Sequence, residues 1–195
     1  MIKNKNYYLV LMLTLLFISS CDDEDIPAAE NDEELITDVS LIFSPQGGGA
    51  PLTFNAIDPD GAGVENLQVE GDIVLAVNTT YELFIEMRNS IENEDIGEEV
   101  KEEGDEHQIF FGFTEDLFAN PTGSGNISPV AGTVIYDDQD ENNLPIGLIT
   151  TWRTEVAGSG IFRILLKHQP DLKTATSTSA TGSSDIDITW ALEIQ

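Results

Sequence analysis

The chain has two histidines, and each stands at the end of an apolar run. His107 follows Glu102, Glu103, Asp105 and Glu106 in EEVKEEGDEHQ, and His168 closes the segment LLKHQP. Two imidazoles with one or two carboxylates, here Glu103 and Asp105, suit Zn2+ or another borderline divalent ion. That chemistry requires the two runs to be neighbouring strands. Otherwise the residues are two separate strand-end histidines touching solvent. A second acidic segment, YDDQDENNLPIGL, sets Asp138, Asp140 and Asn142 at alternate positions before a tight Asn-Leu-Pro turn. Ca2+ takes about six to eight hard oxygens, and a D-x-D-x-N loop can aim several to one side while backbone carbonyls complete the shell. The same residue types also build β-turns with no ion present. The spacing and the terminal bidentate glutamate of a full EF-hand are missing. IDPDGAGVEN, with Asp58 and Asp60, is a shorter version of the same pattern.

Other chemistries find little support. GxSxG, HExxH, phosphate-loop and dinucleotide motifs are absent. Carboxylate pairs arise by chance among 36 acids, so no enzymatic role is expected. With 8 basic residues against those acids, the formal net charge is −28. Such a surface repels phosphate backbones, which excludes nucleic acid as a partner, and it attracts cations. Trp152, Phe110, Phe84 and Phe118 either pack or offer an aromatic platform for a sugar or a peptide. The Ser/Thr-rich segment TATSTSATGSS reads as a solvated loop, or as a polar rim for such a ligand.

The elements that would position these residues are strands. TDVSLIFS alternates Val39, Leu41 and Phe43 with Asp38, Ser40 and Ile42, and LTFNAI follows after the turn-forming PQGGGAP, which makes a hairpin. TYELFIEMR sets Tyr81, Leu83, Ile85 and Met87 on one face. DIDITWALEI does the same with Ile186, Ile188, Trp190, Leu192 and Ile194. A period of two with one apolar face is the mark of a half-buried antiparallel strand. HQIFFGF, GTVIYD, IGLITTWRT and GIFRILLKH complete the set. The segment from Ile91 to His107 has only Ile91, Ile96 and Val100 as apolar anchors and reads as an acidic loop with at most a helical turn. Eight or nine short strands over residues 35–195 predict an all-β, antiparallel sandwich of the immunoglobulin-like or fibronectin-like kind. LAVNTTYELFIEM resembles the tyrosine corner of those sandwiches, with Tyr81 as its tyrosine; an ordinary buried strand tyrosine is the alternative.

The chain opens MIKNKNYYLVLMLTLLFISSCDDED. Lys3 and Lys5, an apolar stretch from Tyr7 to Ile18 and two serines make a signal peptide over residues 1–20, too short to span a bilayer comfortably. Ile18-Ser19-Ser20-Cys21 resembles a bacterial lipobox, which implies a covalent lipid on Cys21 and attachment to a membrane. Cleavage removes two lysines and no acid, so six basic residues against 36 acids leave −30. Cys21 is the only cysteine, so once acylated it leaves no thiol for disulfides or metal. Residues 21–34 then form a flexible acidic tether, with eight acids in DDEDIPAAENDEE.

SPQGGGAP, EEVKEEGDEHQIFF, YDDQDENNLPIGL and LLKHQP together resemble a family of small Bacteroidota lipoproteins, typically flavobacterial and of unknown activity. Members often carry the label of the type 1 periplasmic binding superfamily, a two-lobed α/β fold that the strand pattern here argues against. The resemblance implies an outer-membrane location, at the cell surface or the periplasmic face, and service to a TonB-dependent outer-membrane receptor. The expected function is a non-enzymatic accessory module that binds a divalent cation, Ca2+ or Zn2+, or a nutrient; the alternative is a structural or adhesion module with no small ligand. Multiple acylation of Cys21 gives anchoring that one chain cannot, at about 0.8 kcal/mol per buried methylene. Cys21→Ala is therefore expected to move the protein from the membrane to the soluble fraction of the cell, and an unchanged membrane pool would refute lipidation.

Overall fold

The computed structural model describes residues 35–58, 60–61, 66–128 and 132–195. Cys21, the signal peptide and the acidic tether lie outside them. The fold is the expected all-β sandwich, mostly antiparallel, with two facing sheets. Among the described residues eleven strands run in chain order from β1 (Asp38–Pro45) and β2 (Leu52–Ile57) to β3 (Gln68–Val69), β4 (Ile73–Leu75) and β5 (Thr80–Arg88). After the helix come β6 (His107–Phe113), β7 (Phe118–Asn120), β8 (Ile135–Tyr136), β9 (Ile149–Thr154), β10 (Gly158–His168) and β11 (Ser183–Ile194). The larger sheet has the order β3-β2-β1-β5-β9-β7, with β8 also on β9, and the smaller has the order β4-β11-β10-β6. The three strands that alternation does not reveal, β3, β4 and β7, have only two or three residues each, too few to display a period.

Alternation places the inward faces as expected. Val39, Leu41 and Phe43 of β1 oppose Met87, Ile85 and Leu83 of β5, and all six are buried. PQGGGAP closes the β1–β2 hairpin in the register Phe43 to Leu52. Between the sheets the core is aromatic. The ring of Trp152 lies 4.8–5.4 Å from those of Phe111, Phe113, Phe118 and Phe162, in tilted or edge-on contacts, the arrangement that ring quadrupoles favour. Its indole N–H donates to Thr150 Oγ1 at 2.8 Å, so the buried polar atom is satisfied. Trp152 and Phe118 are thus core residues, not platforms. Tyr81 is also buried, and its hydroxyl accepts the Ala76 N–H at 3.0 Å, the backward bond of a tyrosine corner.

One helix, α1 (Ile96–Glu102), stands among the described residues, where the sequence suggests a loop. Two anchors suffice because Ile96 and Val100 are four apart, share a face and are both buried. Asp95 caps the start by accepting the Glu98 N–H, and Glu98 and Glu99 sit at the positive end of the helix dipole. No helix among the described residues is long and apolar enough to cross a membrane.

Trp152→Ala removes the ring that four other aromatics share. It is expected to destabilise the fold by about 3–5 kcal/mol, the range for large-to-small changes at packed aromatic sites. Urea unfolding of the two proteins measures this, and a loss below about 1 kcal/mol would show that the core does not depend on that ring.

Candidate functional site

The strand order answers the question that the histidines raise. β6 and β10 are neighbours, and His107 and His168 are direct partners in their register. The rings stack with centroids 4.7 Å apart and planes 10° from parallel. His107 is wholly buried and His168 nearly so. His107 Nδ1 bonds the Glu103 carbonyl at 3.1 Å, while its Nε2 finds no hydrogen-bond partner among the described residues. His168 Nε2 lies 3.4 Å from Glu106 Oε2. Burial pushes the His107 pKa below its ordinary value; the Glu103 carbonyl opposes this and the neighbouring His168 reinforces it. The imidazoles meet, but as a stacked pair. A nitrogen lone pair lies in its ring plane, so stacked, near-parallel rings do not aim two nitrogens at one ion.

The Asp138–Asn142 segment is built as a self-capping loop. Asp138 accepts the Gly147 N–H on one oxygen at 2.9 Å and the Leu148 N–H on the other at 2.8 Å. Burial raises its pKa, and these amide bonds oppose the rise. Gly147 is required there: its φ is +105°, and a Cβ would come within 2.9 Å of the Ile109 side chain. Asp140 Oδ1 accepts the Asn142 and Leu144 N–H groups, both at 2.8 Å. Its Oδ2 pairs with Lys173 Nζ at 2.9 Å, with both side chains buried. Lys173 also donates to the Gly104 carbonyl at 2.5 Å. Burial raises the Asp140 pKa, but the loop amides and Lys173 outweigh it and leave the carboxyl below its ordinary value. Burial lowers that of Lys173 despite the pairing. At the shorter acidic segment Asp58 closes its own turn by accepting the Asp60 and Gly61 N–H groups.

These segments converge. The end of α1 and the 137–146 loop face each other across a cleft of about 410 Å3. Glu102, Asp105, Asp138, Asp140 and Glu141 line it, with Lys101 as the one basic residue and Ile146 and Leu148 as apolar wall. Of the residues singled out in the sequence, Asp105, Asp138 and Asp140 therefore share one cleft. Asn142 contributes its amide to the loop, Glu103 contributes its carbonyl to His107, and the histidines form their own stack. No protein-family model, curated protein or solved structure matches the chain. The site must therefore be read from its own geometry. Among the described residues, no three His, Cys, Asp or Glu side chains are grouped as a ready metal cage. Glu102 and Glu141 line the cleft without having been singled out as candidates, and Lys173 is the residue that sequence patterning misses most completely. Its only signal is scarcity, as one of eight basic residues standing five places beyond His168.

The buried stack carries a pH signature. A folded-state imidazole with a lowered pKa resists protonation, whereas the unfolded one takes a proton near its ordinary value of 6.5. The His107 contribution is therefore whole above that pH and is lost as pH falls through it towards the lowered folded value. The stability difference between the wild-type protein and His107→Gln is expected to shrink from pH 8 to pH 5 in urea titrations. A difference that stays constant would show that His107 titrates alike in both states.

Proposed function

We propose that the chain is a non-enzymatic ligand-binding module held at the cell envelope by a lipid on Cys21, and that its acidic cleft takes a divalent cation. The observation that supports this is the convergence of two acidic segments, one from each side, on a single cleft. Asp138 and Asp140 spend their oxygens on loop amides and on Lys173. They hold the loop in place. Glu102, Asp105 and Glu141 are exposed around the same space, where like charges raise each other's energy and a cation relieves them. Carboxylate oxygens are hard ligands, so Ca2+ fits better than Zn2+, and water would complete a shell that the protein only partly supplies. The stacked imidazoles favour this order as well, because zinc would need their nitrogens to converge. Service to a TonB-dependent receptor rests only on the family resemblance.

One observation favours a structural module instead. The loop carboxylates are already satisfied without any ion, so the acidic surface serves equally as a solvated, repulsive face.

Calorimetry separates the two. With the mature chain, Ca2+ is expected to give salt-sensitive heat. That heat should be lost in the triple variant Glu102→Gln, Asp105→Asn, Glu141→Gln and kept when both histidines become Gln. Silence with both Ca2+ and Zn2+ would leave the structural reading standing, and undiminished heat in the triple variant would show that the ion does not use these carboxylates.

A further inference from the structure

We propose that a second pocket, on the outer face of the smaller sheet, binds a neutral sugar ring. This stands apart from the cation reading and uses none of its residues. The pocket measures about 510 Å3, within the range of about 300–1,000 Å3 usual for small-molecule sites. Its floor is Phe110, which is buried yet lies outside the aromatic core between the sheets. One wall is the segment around Asn126 and Ile127. The other is the Ser/Thr-rich loop, at Ser177, Thr178 and Ser179.

The walls are fixed. Residues 124–127 run along the free edge of β6: Asn126 N–H donates to the Phe111 carbonyl at 2.8 Å, and Phe113 N–H donates to the Ser124 carbonyl at 3.2 Å. The Asn126 side chain accepts the Phe111 N–H and donates to Tyr136 Oη, both at 2.8 Å. Tyr136 in turn donates to the Ile109 carbonyl at 2.7 Å. Across the pocket Ser179 Oγ donates to the Ile127 carbonyl at 2.7 Å and ties the loop to the strap. Within the loop, Ser177 accepts the Thr174 N–H and Thr178 accepts the Ala180 N–H, so the hydroxyl rim is held in successive turns. A rim ordered before binding costs less to order during it.

The lining chemistry selects the ligand. None of the residues lining the pocket is ionisable, in a chain of net charge −28. Lys167, opposite Gln108 in the β6–β10 register, donates to Ser184 Oγ at 2.9 Å. An anion would find no charged group in the lining, only Lys167 beside it, already engaged, and a repulsive field outside. A purely apolar ligand would strip water from the hydroxyls and amides without replacing their hydrogen bonds. A pyranose has both complements: a C–H face for Ile127 and Ala180 above the buried Phe110 floor, and hydroxyls for Gln108 and the Ser177–Thr178 rim.

Amide NMR of the full mature chain, titrated with glucose, galactose, mannose and glucuronic acid at millimolar concentrations, tests this. At least one neutral sugar is expected to shift residues 108–110, 126–128 and 177–180, with glucuronic acid weaker by tenfold or more. Ala180→Trp, which fills the pocket from an exposed position, is expected to abolish the shifts while melting is unchanged. The milder pair Ser177→Ala, Thr178→Ala is expected to weaken binding several-fold. A maltotriose arm distinguishes sources: tighter binding than glucose assigns the pocket to a glycan chain, and equal binding assigns it to a free sugar. No shift with any neutral sugar, equal binding of glucuronic acid, or shifts that persist in Ala180→Trp would overturn the proposal. Ca2+ titrated in the same experiment reads out residues 102–105 and 138–141, so failure of one site is visible independently of the other.

Discussion

Lys173 carries its ammonium into a site where its side chain is fully buried, between Asp140 and the carbonyl of Gly104. A buried charge of this kind is tolerated only when it is paired, and removing one partner from such a pair typically costs about 3–5 kcal/mol. The chain has eight basic residues against 36 acids, so this is a costly use of a scarce group. What it holds together explains the use. Gly104 lies two residues beyond α1, Asp140 is in the acidic loop, and Lys173 lies five residues beyond β10. Without that ammonium the two acidic segments would repel each other, with only the exposed Lys101 beside the cleft to offset them. The cleft therefore depends on a cation that is already part of the protein.

That arrangement divides the acids into two populations. Asp138 and Asp140 face inward and are satisfied by amides and by Lys173, which is how the loop keeps its shape without an ion. Glu102, Asp105 and Glu141 face the cleft from the outside. Spacing cannot distinguish these populations, because both kinds of carboxylate occur within the same few residues. The D-x-D-x-N pattern, read as calcium ligands, marks in this fold the residues that build the loop, while the residues around it supply the open charge.

The strands were legible wherever they were long enough to show alternation. β1, β5 and β11 bury the faces that their patterns assign, and Tyr81 bonds back to its corner as its position suggests. Local alternation does not carry strand order, and the site depends on strand order. β6 ends at Phe113 and β10 begins only at Gly158, yet they put His107 opposite His168. α1 was hidden for a different reason. Its apolar content is two residues, and tertiary burial of Ile96 and Val100 stabilises a turn of chain that propensity alone leaves open. The Ser/Thr loop reads as solvated, and most of its residues are exposed. Its link to Ile127 through Ser179 is a long-range contact that composition cannot reveal.

The histidine stack is best understood through what surrounds it. β6 is an edge strand of the smaller sheet, and an open edge is a liability unless something covers it. Residues 124–127 cover its far end, and the Ile146 carbonyl takes the Ile109 N–H in the middle. At the near end, Glu103 bonds His107, and the Glu106 carbonyl takes the Gln169 N–H. Two flat rings stacked at that corner close the sheet with little side-chain entropy lost, and both are neutral when they are deprotonated. A chain this acidic raises the proton's local activity at its surface and so favours protonated imidazole there. Burying His107 opposes that tendency for its own ring. On this view the imidazoles belong to the frame of the cleft, and the cation proposed for it would meet carboxylates alone.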